Sequence, residues 1–306
     1  MGKVNLAVKV GRLELKNPVL VASGTFGYGE EYAQLVDLNR LGGIVVKGLS
    51  LEPKIGNPPP RLVETSCGLI NAIGLENIGV ERFIKEKLPF LRQFETKIIV
   101  NIFGYSFKDY AGLAAKLTAA GVNALEVNIS CPNIKEGGKF FGTDPTSAAA
   151  VTKAVCKETD LPVFVKLTPQ VTDIVEIAQA VIEAGADGVS MINTFPAMAV
   201  DIHTRRPKLG NITGGLSGPC LKPIALKMIW EVVRSLHIPV MGIGGIMSAA
   251  DALEYLIVGA QAVQVGTANF VNPRTALEVI DGIEDYLRLH HFKDIKSIIG
   301  SVLIPK

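Results

Sequence analysis

Eight short apolar runs recur along this chain. Each ends in a polar or glycine tip, and a helical pattern separates most of them. They read NPVLVASG from Asn17, GGIVVKG from Gly42, KIIVNIFG from Lys97 and ALEVNIS from Ala124. PVFVKLT from Pro162, GVSMINT from Gly188, PVMGIGG from Pro239 and AVQVGTA from Ala262 complete the set. Between them lie amphipathic stretches such as FKDYAGLAAKLTAAG from Phe107 and TDIVEIAQAVIEAGADG from Thr172. The second closes on glycine, as helix ends do. Strands alternating with helices require parallel pairing and right-handed crossovers. Eight such units in 306 residues predict an α/β chain folded as a (β/α)8 TIM barrel, one domain spanning residues 1–306. A β-hairpin over Val4 to Leu15 is expected to precede the barrel and plug its bottom.

Two insertions break the rhythm. Ser50 to Val80 contains GNPPPR, and Phe195 to Pro219 contains HTRRP and GGLSGP. Both follow the C-terminal end of a strand, the face on which barrels of this kind carry their sites. The prolines predict an ordered first loop.

Composition narrows the function. A formal charge of +2 argues against a strong electrostatic footprint for nucleic acid or an anionic membrane. Hydrophobic residues make up 48% of the chain, enough for a large core, yet no run is long enough to span a membrane. The N-terminal segment alternates apolar and charged residues rather than forming the core of a signal peptide. Cys67, Cys131, Cys156 and Cys220 are far apart in sequence, so no local zinc or iron–sulfur set is expected. Sparse cysteine fits a reducing compartment, and a cytoplasmic protein is expected.

Strand side chains alternate between barrel interior and helix layer. Leu125, Val127 and Ile129 share the helix-facing side, so Glu126 and Asn128 point inward. The same alternation turns Asn101 and Lys166 inward. The second run ends at Lys47, and the sixth at Asn193 and Thr194. An unpaired buried polar group costs about 1–3 kcal/mol, and an unpaired charge more. Two lysines and three amides at one mouth therefore predict an anionic, amide-rich ligand. The alternative is that Glu126 neutralises Lys166 and the amides satisfy one another; five such tips together argue against it. The seventh and eighth runs end in GIGGI (Gly242 to Ile246) and VGTA (Val265 to Ala268), which predict a phosphate cradle of backbone N–H groups. No GxGxxG opens a helix, so no Rossmann-type dinucleotide site is expected. A phosphate-containing cofactor follows, and flavin mononucleotide suits a phosphate edge joined to a row of amides and lysines.

In combination, NAIGLENIG from Asn71, VNISCPNIKEGG from Val127, FGTDP from Phe141, VKLTP from Val165, INT from Ile192 and GIGGI resemble the class 1 dihydroorotate dehydrogenases over essentially the whole chain. KGLSLEPKIGNPPPRLVET from Lys47 and the glycine pair after SCPNIKE are similar to the NAD-linked class 1B catalytic subunits. Class 2 members carry serine where Cys131 stands.

The resemblance implies oxidation of (S)-dihydroorotate to orotate on the way to UMP. It implies one FMN per chain, held by Ser23, Lys47, Gly48, Asn101, Asn128, Lys166, Ile192, Gly218, Gly244, Gly245, Gly266 and Thr267. Substrate would be held by Lys47, Asn71, Asn128, Asn133, Asn193 and Thr194, with Gly74 and Leu75 beside it, and Cys131 would be the catalytic base. It further implies a homodimeric core within a heterotetramer, in which a partner subunit carrying FAD and a [2Fe–2S] cluster passes electrons to NAD. Fumarate-dependent class 1A chemistry and a dihydropyrimidine dehydrogenase-like flavoenzyme are the enzymatic alternatives. A non-catalytic phosphate-binding barrel is the remaining one.

Side-chain chemistry agrees. A lysine suits the substrate carboxylate, and asparagines offer donor and acceptor to the ring amides. A thiol needs help to act as a base near neutral pH. His203, His237, His290 and His291 fall on no strand tip, the last three being read as helix-end residues. Cys156 reads as packed, Cys220 as a helix-start residue, and Cys67 as a loop residue near Asn71.

Overall fold

The structure is a computed structural model that describes residues 4–130, 135–136 and 139–305. Among these, eight parallel strands close a barrel in sequence order. They are β1 (Val19–Val21), β2 (Gly43–Leu49), β3 (Lys97–Ile102), β4 (Ala124–Asn128), β5 (Val163–Lys166), β6 (Gly188–Met191), β7 (Val240–Ile243) and β8 (Ala262–Val265), and β8 pairs back onto β1. All eight apolar runs became barrel strands. The strands are rich in β-branched residues and buried on both faces, as a parallel sheet wrapped by helices requires.

The helices start where side chains supply caps. Ser106 and Asp109 form a capping box at helix Phe107–Ala119. Asp173 caps Ile174–Glu183, and Ser248 caps Ala249–Val258. His237, at φ 52°, ends helix Lys222–Leu236, and His290 ends Thr275–Leu289. Both are helix-end residues, as expected. No helix among the described residues is long and apolar enough to cross a membrane.

The N-terminal hairpin is present but shorter than Val4 to Leu15: Val8–Val10 pairs with Leu13–Leu15. Asn5 instead bridges to Asp294. Arg12 leaves the hairpin tip and donates to both Asp187 oxygens (2.6 and 2.9 Å), to Asp160 O and to Leu161 O. Those residues precede β6 and β5, so the hairpin covers the N-terminal end of the barrel.

The two insertions are not independent loops. Leu62–Thr65 and Gly68–Asn71 form an antiparallel pair in the first. Phe195–Met198 and Thr213–Ser217 form another in the second. Gly215 pairs with Asn71, Leu216 with Ile70 and Ser217 with Leu69, which makes one four-stranded sheet above the barrel's C-terminal end. Ile70, Ala72 and Leu209 form its own small core. The insertions were read as loops because each strand is only four or five residues long, and the decisive pairing joins segments about 145 residues apart.

Candidate active site

Asn101, Glu126, Lys166 and Ser190 stand on neighbouring strands at the level set by the barrel register. Asn101 lies opposite Glu126, and Lys166 lies opposite Asn128 and Ser190. Glu126 is 1% exposed, and Lys166 is 6% exposed. The Glu126 carboxylate accepts from Asn101 Nδ2 at 2.7 Å, from Ser190 Oγ at 2.7 Å and from Gln264 Nε2 at 2.9 Å. Lys166 Nζ stands 3.7 Å from Glu126 Oε1 and 3.5 Å from Ser23 Oγ. Charge is thus balanced in the lumen, but the ammonium is not hydrogen-bonded to the carboxylate. The expected inward positions of Asn101, Glu126 and Lys166 are met. Ser190 and Gln264 were missed, although the same alternation gives them away. Each is a polar residue between two apolar ones, in VSM and VQV.

The Asn101 amide donates downward, and its Oδ1 faces Gly48. A Cβ built on Gly48 would lie 2.7 Å from that oxygen. The second strand can therefore approach Asn101 only as glycine. Next to it, half-buried Lys47 has no ion-pair or hydrogen-bond partner for its ammonium among the described residues. Asn128 Oδ1 accepts from Ser130 N at 3.1 Å, and its backbone O accepts from Tyr110 OH at 2.8 Å. Ser130 Oγ donates to Lys166 O at 3.0 Å, tying the end of β4 to that of β5.

The tips of β7 and β8 form a glycine cradle. Gly244 and Gly245 have φ of 129° and 68°, a region that L side chains rarely adopt. A Cβ on Gly245 would meet Gly218 O and Lys222 N, both at 2.8 Å. A Cβ on Gly266 would meet only Ala22, so this tip is open. Asp251 anchors the loop, accepting from Met247 N at 3.0 Å and from Lys222 Nζ at 2.7 Å. Burial pushes the Asp251 carboxyl up, but Lys222, Met247 N and Ser248 outweigh it and hold it below the ordinary range. Thr267 Oγ1 donates to Ser217 Oγ at 2.8 Å, which joins the cradle to the upper sheet. Ile192 donates its N–H to Ile243 O at 3.0 Å, just past β6.

On the upper sheet, Asn71 Nδ2 donates to Gly215 O at 3.0 Å, and Thr194 packs directly over Gly215. Thr194 N donates to Asn193 Oδ1 at 2.7 Å. Gly74 and Leu75 form a left-handed turn at φ 76° and 61°, with Gly74 against Asn57. Cys131 and Asn133 lie outside the described residues, as do Gly137 and Gly138.

Cys156 ends helix Pro145–Cys156, and burial pushes its thiol up to about 11, as its packed reading predicts. Cys220 lies in the 3-10 turn Pro219–Leu221 that precedes the long helix, and not in that helix. Cys67 is exposed, and its backbone O accepts from Cys220 N.

The family model for dihydroorotate dehydrogenase matches residues 5–287. This chain belongs to the dihydroorotate dehydrogenase family.

Curated relatives sharpen this. A protein of Desulforamulus reducens named dihydroorotate dehydrogenase B (NAD(+)), catalytic subunit, is 57% identical over 300 residues, covering 98% of this chain and 99% of its own length. Proteins of the same name from Geotalea daltonii and Thermodesulfovibrio yellowstonii are 54% and 57% identical. They cover 99% and 97% of this chain, and 100% and 98% of their own lengths. For a dihydroorotate dehydrogenase, the described residues fit FMN. A glycine cradle with two positive-φ positions offers backbone N–H groups, Lys166 keeps free donors, and the buried Gln264 Oε1 in the lumen lacks a partner.

Proposed function

We propose that this chain oxidises (S)-dihydroorotate to orotate in the synthesis of UMP. The observation that carries this reading is Lys47. It is a half-buried cation without a partner among the described residues, set beside Asn101 at a mouth ringed by amides, within a dihydroorotate dehydrogenase fold. A carboxylate bonded to a cyclic diamide complements that arrangement.

The cradle and the lumen amides would hold FMN, which would supply a hydride acceptor. Gly218, Gly244, Gly245, Gly266 and Thr267 are assigned to its phosphate side. Ser23, Lys47, Gly48, Asn101, Asn128, Lys166 and Ile192 are assigned to its ring. Lys47, Asn71, Asn128, Asn133, Asn193 and Thr194 would hold the substrate, with Gly74 and Leu75 shaping the adjoining turn. Asn193 is oriented by the Thr194 N–H, and Asn71 is anchored on Gly215 O. Cys131 is assigned the C5 proton, while the C6 hydrogen leaves as hydride.

The relatives' names carry "NAD(+)" and "catalytic subunit". Electrons are accordingly proposed to leave through a partner subunit with FAD and a [2Fe–2S] cluster, around a homodimeric core in the cytoplasm. The chain acts as one barrel domain across residues 1–306. The deciding experiment is anaerobic reduction of the purified chain by dihydroorotate, followed by reoxidation with NAD or fumarate, with and without the co-expressed partner. Bleaching of a yellow protein, and NAD turnover only with the partner, are expected. A chain that stays colourless after incubation with FMN overturns the flavin reading, and fumarate turnover by the chain alone overturns the NAD assignment.

A further inference from the structure

The Glu126 carboxylate has three neutral donors on it and one cation near it. Asn101 Nδ2, Ser190 Oγ and Gln264 Nε2 all lie within 2.9 Å, whereas the Lys166 ammonium is held off at 3.7 Å. All five residues are at least nine-tenths buried. A carboxylate this deep would ordinarily draw the lysine into a direct, charge-assisted bond. Here neutral donors take three of its lone pairs, two on Oε2 and one on Oε1, the oxygen nearest Lys166.

Two consequences follow. The negative charge compensates Lys166 without taking up its N–H donors, which among the described residues reach only Ser23 Oγ at 3.5 Å. The acceptor-only carboxylate also fixes which way Asn101 faces. The amide nitrogen must point down at Glu126, so Oδ1 is presented beside Gly48. The arrangement draws on five strands (β3, β4, β5, β6 and β8), so it is a feature of the closed barrel and not of any one motif.

We propose that Glu126 is a positioning residue. It sets the charge of the lumen at the FMN site, keeps the Lys166 donors available to the ligand, and fixes the Asn101 amide with its acceptor beside Gly48. The proposal rests on reading the mouth as an FMN site, and it assigns a task to a residue that need not touch cofactor or substrate.

The test uses charge, because a merely structural role would not follow its sign. Glu126→Gln keeps the volume and leaves Lys166 uncompensated, so the lumen gains one positive charge. Reduced flavin carries more negative charge than oxidised flavin, so the FMN midpoint potential is expected to shift positive. Glu126→Asp keeps the charge and is expected to hold the wild-type potential. Glu126→Gln with Lys166→Met restores neutrality and is expected to bring the potential back toward wild type. Ser190→Ala frees one lone pair of Glu126 while every charge stays. The carboxylate, released on its Oε2 side, is then expected to turn toward Lys166 and draw the ammonium in, so that FMN affinity falls severalfold at an unchanged lumen net charge, read by fluorescence on reconstitution of the apoprotein.

An unshifted potential in Glu126→Gln, or an equal shift in Glu126→Asp, overturns the proposal. Should Glu126→Gln fail to fold, Ser190→Ala decides alone, and unchanged FMN affinity there overturns it. A wild-type protein that takes up no FMN sinks the flavin reading itself, which is a different result from either.

Discussion

Asn71 and Gly215, 144 positions apart, are joined twice. They pair in the backbone of the upper sheet, and Asn71 Nδ2 donates to Gly215 O at 3.0 Å. Gly215 in turn lies under Thr194, so a residue from each insertion and one from the end of β6 meet at one point. The two insertions thereby become one wall over the barrel mouth, and a change at Gly215 should be felt by the substrate before the cofactor.

Gly215→Ala drives a Cβ into the Thr194 side chain, against both its Oγ1 and its Cβ. Overpacking of this kind typically costs about 1–3 kcal/mol. We expect KM for dihydroorotate to rise by roughly tenfold, at a near-normal FMN content. Equal losses of bound FMN and of substrate affinity would contradict this placement.

Lys47→Met should remove the counter-charge for the substrate carboxylate. A hydrogen bond to a charged group contributes about 1.5–3 kcal/mol, which corresponds to a weakening of about 10- to 100-fold. Titration of the oxidised flavin's absorbance with orotate measures it. Unchanged orotate affinity would remove Lys47 from the substrate site.

Cys131→Ala is expected to bind orotate nearly normally and to slow anaerobic flavin reduction by about 10²- to 10⁴-fold, the range for loss of a general base. Stopped-flow reduction at the wild-type rate would exclude the thiol from proton transfer.

Asp251 ties the cradle loop to Lys222. Its folded-state pKa lies below the unfolded value of about 3.9, so its stabilisation is complete above that pH. As pH falls through the folded pKa, that contribution is lost. Asp251→Asn should therefore lower Tm clearly at pH 7, and the deficit should shrink progressively as pH falls below about 3.9. A deficit that stays constant across this range would contradict the ionic anchoring.

Thiol reactivity should rank by environment. Cys67 is exposed, whereas burial pushes Cys156 up to about 11. A disulfide reagent at pH 8 should label Cys67 rapidly and Cys156 only on unfolding, as peptide mapping would show. Fast labelling of Cys156 in the native protein would contradict its packed position.

Much of this was legible in the chain because strand alternation is a local rule. A side chain with two apolar neighbours in a barrel strand points the other way from them, whatever the rest of the molecule does. That rule turned Asn101, Glu126, Asn128 and Lys166 inward, while Lys47 followed from the end of its run, and it applied equally to Ser190 and Gln264, which went unread. The glycines after β7 and β8 were legible for a similar reason, since positive φ there demands residues without a Cβ.

The sequence by itself determined eight strands, their order, and which side chains enter the lumen, because period and composition act over a few residues. Only the tertiary structure decided who meets whom. Barrel closure brought Gln264 of the last strand to Glu126 of the fourth, and sheet pairing brought Asn71 to Gly215. It also held Lys166 at 3.7 Å from the carboxylate that alternation alone had offered as its direct partner. Those distances depend on register and on competition among donors for two oxygens, which no local pattern in the chain records.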